Sequence, residues 1–144
     1  MSFAYVVETC LMACTTSTWC VNTRATNHVY NSLQGFQETK RLAKGEIDLL
    51  MGDTSRVAAV VVGVVTLHFG DKFLVLDDYL YVPRVRRNLV SISCLSCNEY
   101  LSVFNKNLVF VRYNDDIICR GMLQDNLYLL EPISLQINSH ESNN

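Results

Sequence analysis

Short apolar runs separated by turn residues constrain the fold of this chain more than any other feature of its sequence. The runs are rich in β-branched and aromatic side chains, and they are bounded by groups such as Gly70-Asp71-Lys72, Asn105-Lys106-Asn107 and Asn114-Asp115-Asp116. Gly, Asn and Asp tolerate the left-handed backbone that tight hairpins require. Regularly spaced strands with hairpin signals between them predict an all-β barrel or sandwich.

The apolar runs define the candidate strands, which are residues 3–7, 19–21, 47–51, 56–62, 64–69, 73–76, 79–82, 101–104, 108–113, 117–120 and 127–130. One segment departs from this pattern, because Leu89, Ile92 and Leu95 recur three positions apart and Asn88 is placed to cap. This spacing predicts a short helix over residues 89–97. Alternation along the strands predicts a core that contains Trp19, Val21, Val60, Val62, Leu67, Leu80, Val82, Leu89 and Ile92.

Length and charge narrow the class of protein. The chain has 144 residues, of which 49% are hydrophobic, so it can bury one core and needs no second domain. Its formal charge of −2 argues against a nucleic-acid footprint, and we interpret Arg84, Arg86 and Arg87 as a solvated turn. The longest apolar run, residues 57–67, is far shorter than the roughly 20 residues of a membrane helix. We therefore expect neither nucleic-acid nor membrane partners.

The six cysteines do not form a recognisable metal motif. They are Cys10, Cys14, Cys20, Cys94, Cys97 and Cys119. A structural zinc site needs four ligands, and the single Cys-x-x-Cys at Cys94 and Cys97 has no second pair spaced to match it. We expect no metal site and no cofactor. The apolar N-terminal stretch has no basic region before it and is interrupted by Glu8, so we expect no secretory leader, a cytoplasmic location and reduced thiols.

The segment from Trp19 to His28 reads Trp-Cys-Val-Asn-Thr-Arg-Ala-Thr-Asn-His. It resembles the catalytic segment of copia-type retrotransposon aspartic proteases, in which a hydrophobic strand leads into Asp-Ser/Thr-Gly-Ala. Further blocks resemble the same family in the same order, at residues 60–67, 78–83, 86–92, 121–123 and 125–130. The resemblance implies a retropepsin-like β-barrel with one short helix over residues 19–131, preceded by a lead-in segment at 1–18. Residues 132–144 are rich in Asn and Ser, so we expect them to form a disordered polar tail.

An aspartic protease needs two carboxylates that share one proton, and one motif supplies only one of them. The resemblance therefore implies a homodimer, whose ancestral substrate was a Gag-Pol polyprotein. In the matching positions Thr23 and Ala25 agree with the family, but Asn22 replaces its Asp and Arg24 replaces its Gly. We expect a catalytically inactive domain that dimerises weakly. A non-enzymatic dimerisation or peptide-binding module and a residually active endopeptidase remain as alternatives.

A second motif invites comparison with the missing triplet. Asp53-Thr54-Ser55 has the right first two letters, but it follows Gly52 in a predicted hairpin turn and Ser stands in place of Gly. A catalytic motif needs both the right residues and the right structural context, so we reject Asp53-Thr54-Ser55 as a catalytic site. The hairpin of Met51, Gly52, Asp53 and Thr54 instead matches the family's substrate flap.

Overall fold

A computed structural model describes residues 2–5, 18–51, 54–130 and 134–135, and most of these residues lie in strands. The strands are β1 (Ser2–Tyr5), β2 (Trp19–Asn22), β3 (Val29–Tyr30), β4 (Phe36–Arg41), β5 (Ile47–Leu50), β6 (Arg56–Ala58), β7 (Val61–Phe69), β8 (Lys72–Tyr81), β9 (Asn88–Ser91), β10 (Tyr100–Asn105), β11 (Leu108–Tyr113), β12 (Asp116–Gln124), β13 (Leu127–Leu130) and β14 (Ser134–Leu135). One helix, α1, spans Ile92–Cys97. The prediction of an all-β fold with one short helix is confirmed.

The strands form two sheets. The larger one follows the order β10-β11-β12-β13-β2-β9-β3-β8-β7-β14, with β4 also paired to β7, and the smaller one follows β1-β5-β6. Most neighbours among the described strands are antiparallel, but β1 runs parallel to β5, β2 to β9 and β3 to β8. Among the described strands the larger sheet does not close on itself. No helix in the described residues is long and apolar enough to cross a membrane.

The β7–β8 hairpin shows how the sequence builds the sheet. Gly70 makes the turn at φ +68°, a conformation that a side chain disfavours. We placed Gly63 at a bend between two candidate strands, and the structure has one strand, β7, whose register with β8 shifts between Gly63 and Val65. A Cβ at Gly63 would collide with the carbonyl oxygen of Gln37 and the ring of Phe36, so glycine is what lets β4 pair there.

The continuity of β7 corrects part of the predicted core. Val61, Val65 and Leu67 are buried, whereas Val60 and Val62 are only half-buried. Because side chains alternate along a strand, an assumed bend at Gly63 shifts the inward face by one residue. Of the other predicted core residues, Ile92 is partly buried against the core. The rest are buried, namely Trp19, Val21, Leu67, Leu80, Val82 and Leu89.

The predicted helix begins too early. Residues 88–91 form β9, which pairs with β2, and the helix starts at Ile92 with Ser91 as its N-cap. Ser91 Oγ accepts a hydrogen bond from Cys94 N at 3.2 Å, whereas Asn88 is buried and accepts from Asn31 N at 3.3 Å. The three-residue spacing of apolar positions was misleading because it spanned a strand and a helix.

Three further sequence interpretations need comment. Arg84 and Arg86 are exposed as expected, but Arg87 is buried, so the solvated-turn interpretation is wrong for that side chain. Strands β3 and β4 were missed because β3 has two residues and β4 is mostly polar. Ser134 and Leu135 pair with β7, although we expected them in a disordered tail. The rest of residues 132–144 lies outside the described residues, so the tail stays a prediction.

Candidate functional site

The segment that follows β2 carries the four residues expected at the catalytic position. Asn22 ends β2, and its side-chain oxygen Oδ1 accepts hydrogen bonds from Arg24 N at 2.7 Å and Ala25 N at 2.9 Å. A short polar side chain that accepts from the backbone two and three residues later closes a tight turn. Thr23 and Arg24 are exposed at its tip, and Ala25 is buried. We call residues 22–25 the Asn22 loop.

Strand β9 and helix α1 anchor the Asn22 loop. Parallel pairing of β2 with β9 sets Asn22 opposite Ser91. Ser91 is buried, and its Oγ donates a hydrogen bond to the carbonyl oxygen of Ala25 at 2.7 Å. Ser91 Oγ also caps α1, because it accepts a hydrogen bond from Cys94 N. The Sγ of Cys94 donates to the carbonyl oxygen of Thr26 at 3.2 Å. The shape of the loop therefore depends on residues far away in the sequence.

His28 is the residue of this region that sequence reasoning missed. Its side chain is fully buried, and Nδ1 accepts a hydrogen bond from Ser91 N at 2.9 Å. An imidazole that accepts at Nδ1 is neutral and carries its proton on Nε2. Burial lowers the pKa of His28 from 6.5 to about 3. No short-range sequence signal indicates this role, since the contact joins residues 63 positions apart.

A groove of about 240 Å³ runs beside the Asn22 loop. Its lining includes Asn22, Arg24, Phe104, Leu127 and Tyr128. The ring of Phe104 packs edge-on against that of Tyr128 with 5.0 Å between centroids, and the hydroxyl of Tyr128 donates to the Lys106 carbonyl oxygen at 2.8 Å. The groove thus has an aromatic wall and one cationic side chain, with no carboxylate among its described lining residues.

A larger cavity of about 450 Å³ lies elsewhere, between the β7–β8 turn and β12. Its lining includes Phe69, Cys119, Arg120 and Met122, and none of the residues of the Asn22 loop. Among its described lining residues Cys119 is the one candidate nucleophile, and burial raises the pKa of that thiol to about 12. A thiol held in its protonated form is a poor nucleophile. Cavity size therefore does not indicate where chemistry would occur, and the smaller groove is the better candidate.

The predicted flap is a hairpin between β5 and β6. Thr54 N donates to the carbonyl oxygen of Met51 at 2.9 Å, and Met51 N donates to that of Ser55 at 2.8 Å. Thr54 is exposed and has φ +70°, as a tight turn requires. Gly52 and Asp53 lie outside the described residues. The flap role of these residues stays a prediction.

The chemistry available to the Asn22 loop is limited by its functional groups. The carboxamide of Asn22 does not titrate, and its oxygen already accepts two backbone hydrogen bonds. No group of three or more His, Cys, Asp or Glu side chains in the described part of the chain could hold a metal ion. Cys20 and Cys119 are buried free thiols, Cys94 is half-buried and Cys97 is exposed. The described loop can bind through its backbone and Arg24, but it has no group that can act as a general base.

Comparison with known proteins gives one family. The sequence profile described as "Pol polyprotein, beta-barrel domain" matches residues 19–100, which is more than half of the chain. The matched region includes the Asn22 loop, His28 and β9 and reaches the first residue of β10. No curated protein and no solved structure gives a significant match.

Proposed function

The chain belongs to the family of Pol polyprotein β-barrel domains, and from that premise we propose that it is a copia-type aspartic-protease-like domain that has lost its catalytic chemistry. The ancestral activity was cleavage of a Gag-Pol polyprotein by a homodimer. In this proposal residues 22–25 correspond to the catalytic motif of copia-type proteases, and Met51, Gly52, Asp53 and Thr54 correspond to their substrate flap. The domain acts in the cytoplasm, without a cofactor and without binding nucleic acid or membrane.

One observation carries this proposal, which is the pair of hydrogen bonds that Asn22 Oδ1 accepts from Arg24 N and Ala25 N. A carboxylate oxygen in the same place would accept the same two bonds, and they would favour its charged form. The loop therefore has the turn that would hold an aspartate, but the residue in it cannot take a proton from water. General acid–base groups contribute about 10²- to 10⁴-fold to a rate, so their loss from both subunits should abolish useful turnover.

Arg24 supports the second half of the proposal, a weakened homodimer. Its side chain is exposed at the tip of the Asn22 loop. If two such loops meet at a twofold axis, their guanidinium groups come close together. Two cations at roughly 6 Å repel by about 3 kcal/mol at an effective dielectric constant near 20. The domain should therefore associate through this loop more weakly than one with glycine at the same position.

A peptide-cleavage assay tests the proposal. The unmodified chain, Asn22→Asp, Arg24→Gly and the double variant are compared between about pH 4 and pH 7, with and without a pepstatin-type inhibitor. Asn126→Asp is the matched control, because it adds a carboxylate to the same groove outside the Asn22 loop. We expect inhibitor-sensitive cleavage only from the double variant. Cleavage by the unmodified chain that is lost in Asn22→Ala would overturn the proposal.

The groove favours a second candidate function, a peptide-binding module without catalysis. Phe104, Leu127 and Tyr128 supply apolar surface, and Arg24 supplies one positive charge. Binding of an extended peptide by the unmodified chain, measured by fluorescence anisotropy and weakened by Tyr128→Ala, would favour this reading. Equal peptide binding by the unmodified chain and by Tyr128→Ala would count against this second function.

A further inference from the structure

Strand β10 is an unprotected edge of the larger sheet. In the described part of the chain it pairs with β11 on one side, over Tyr100 to Asn105, and with no strand on the other. A free edge presents a row of unpaired backbone N–H and C=O groups that can pair with another strand. Leu101, Val103 and Phe104 are 57%, 38% and 42% exposed, so this edge also carries apolar side chains.

The same protein protects another edge strand in the usual ways. Strand β4 pairs only with β7 among the described strands, and it carries Glu38, Lys40 and Arg41 at exposed positions. Its register shifts between Glu38 and Lys40, which marks an irregularity in the ladder. Charged residues and bulges both discourage pairing between molecules. Strand β10 has neither a charged residue nor a proline, and its register with β11 is regular.

The charges that flank β10 favour one particular partner. Glu99 lies immediately before the strand and Lys106 immediately after it, and both are exposed. When two copies of this strand run antiparallel, the beginning of one lies beside the end of the other. When this pair is centred on Ser102, Glu99 lies opposite Asn105 of the second copy and diagonally beside its Lys106, and the same holds at the other end of the pair. A parallel arrangement would instead bring like charges together.

We propose that β10 pairs with β10 of a second copy of this chain to form a continuous antiparallel sheet across a twofold axis. Centred on Ser102, this pairing sets Leu101 opposite Val103 and Tyr100 opposite Phe104 of the second copy. Apolar and aromatic cross-strand pairs of this kind stabilise antiparallel sheets. The twofold axis then passes beside the Ser102 backbone, while the Oγ of Ser102 is buried within its own subunit.

This interface does not include the Asn22 loop, although Phe104 also lines the groove beside that loop. It uses backbone groups of β10, and no residue of the proposed catalytic motif takes part in it. A six-residue strand pair buries less area than the roughly 1,200 Å² at which stable interfaces begin, so the dimer is weak and depends on concentration. Its presence or absence says nothing about whether the Asn22 loop is catalytic.

Charge reversal tests the proposal. Sedimentation equilibrium of the full chain, up to about 1 mM, is compared for the unmodified protein, Glu99→Lys, Lys106→Glu and the double variant. Each single change puts like charges together at both ends of the pair and should weaken association about tenfold. The double variant restores opposite charges and should return association to the unmodified level. Arg120→Glu, a charge reversal on β12, is the control and should have no effect.

Three outcomes would overturn the proposal. In the first, the unmodified chain stays monomeric over the whole concentration range. In the second, the single variants associate as strongly as the unmodified chain. In the third, the double variant associates no more strongly than the single variants. Hydrogen exchange gives a second readout, since the free-edge amides of β10 should become protected as concentration rises. Arg24→Gly separates the two interfaces, because it should change association through the Asn22 loop and leave the response to charge reversal in β10 unchanged.

Discussion

Acid should destabilise this domain through one buried side chain, His28. Its imidazole is fully buried, and burial lowers its pKa to about 3 in the folded state from 6.5 in the unfolded state. The neutral form is therefore favoured by folding, so its contribution to stability is present above pH 6.5 and is lost as pH falls toward 3. Between pH 7 and pH 5 the loss amounts to about 2 kcal/mol, at about 1.4 kcal/mol per unit below the unfolded pKa.

Urea unfolding followed by Trp19 fluorescence measures this loss, because Trp19 is the single tryptophan and is fully buried. The informative variant is His28→Asn, whose side-chain oxygen can keep accepting from Ser91 N but does not titrate. We expect it to be less stable at pH 7, because ring packing against Tyr79 at 5.2 Å is lost. Its free energy of unfolding should nevertheless fall about 2 kcal/mol less between pH 7 and pH 5.

His68→Asn is the matched control. His68 is half-buried on β7, so His68→Asn makes the same chemical change outside the fully buried site of His28. If His28→Asn keeps the full pH dependence, or if His68→Asn flattens it equally, the argument from burial is wrong. The effect also bears on the cleavage assay, since the double variant should be tested where the fold is intact.

Three further predictions concern the supports of the fold. Ser91→Ala removes the N-cap of α1 and the hydrogen bond to Ala25, so the free energy of unfolding in urea should fall by about 1–2 kcal/mol. Ser96→Ala, at an exposed position on the same helix, is the control and should change it little. Gly63→Ala should lower the melting temperature, with an overpacking cost of about 1–3 kcal/mol, because its methyl group meets the β4 backbone; an unchanged melting temperature would contradict the pairing described here. Alkylation of the native protein followed by mass spectrometry should label exposed Cys97 well before Cys119, whose thiol is buried with its pKa raised to about 12; equal rates would count against that burial.

Local patterns were sufficient to predict the hairpins. Strands β11 and β13 have the bounds that their apolar runs indicated, because a residue in the left-handed backbone adjoins each of them, Asn114 after β11 and Asn126 before β13. Errors arose where tertiary pairing overrides a local signal. Gly63 was placed between two candidate strands, although β7 runs through it and the approach of β4 requires a glycine there. Asn88 was taken as a cap, although pairing with β2 extends the chain to Ser91.

The candidate site was also predictable only in part from the sequence. The turn at Asn22 follows from a short polar residue that bonds its own backbone, so sequence alone could indicate the position of the loop. Its anchors could not be predicted, because Ser91 contacts Ala25 across 66 positions and His28 across 63. Nothing in the spacing of these residues identifies them as neighbours. Only the parallel pairing of β2 with β9 brings them together.

That parallel pairing determines when the loop can form during synthesis. Contacts between residues far apart in sequence form slowly, because the intervening chain must be ordered before they stabilise anything. A nascent chain synthesised just past Ala25 contains all of residues 22–25, but it does not yet contain Ser91, whose hydroxyl holds the Asn22 loop. A polyprotein truncated between these residues would carry the motif without the structure. The presence of the motif in a fragment is therefore poor grounds for assuming a formed site.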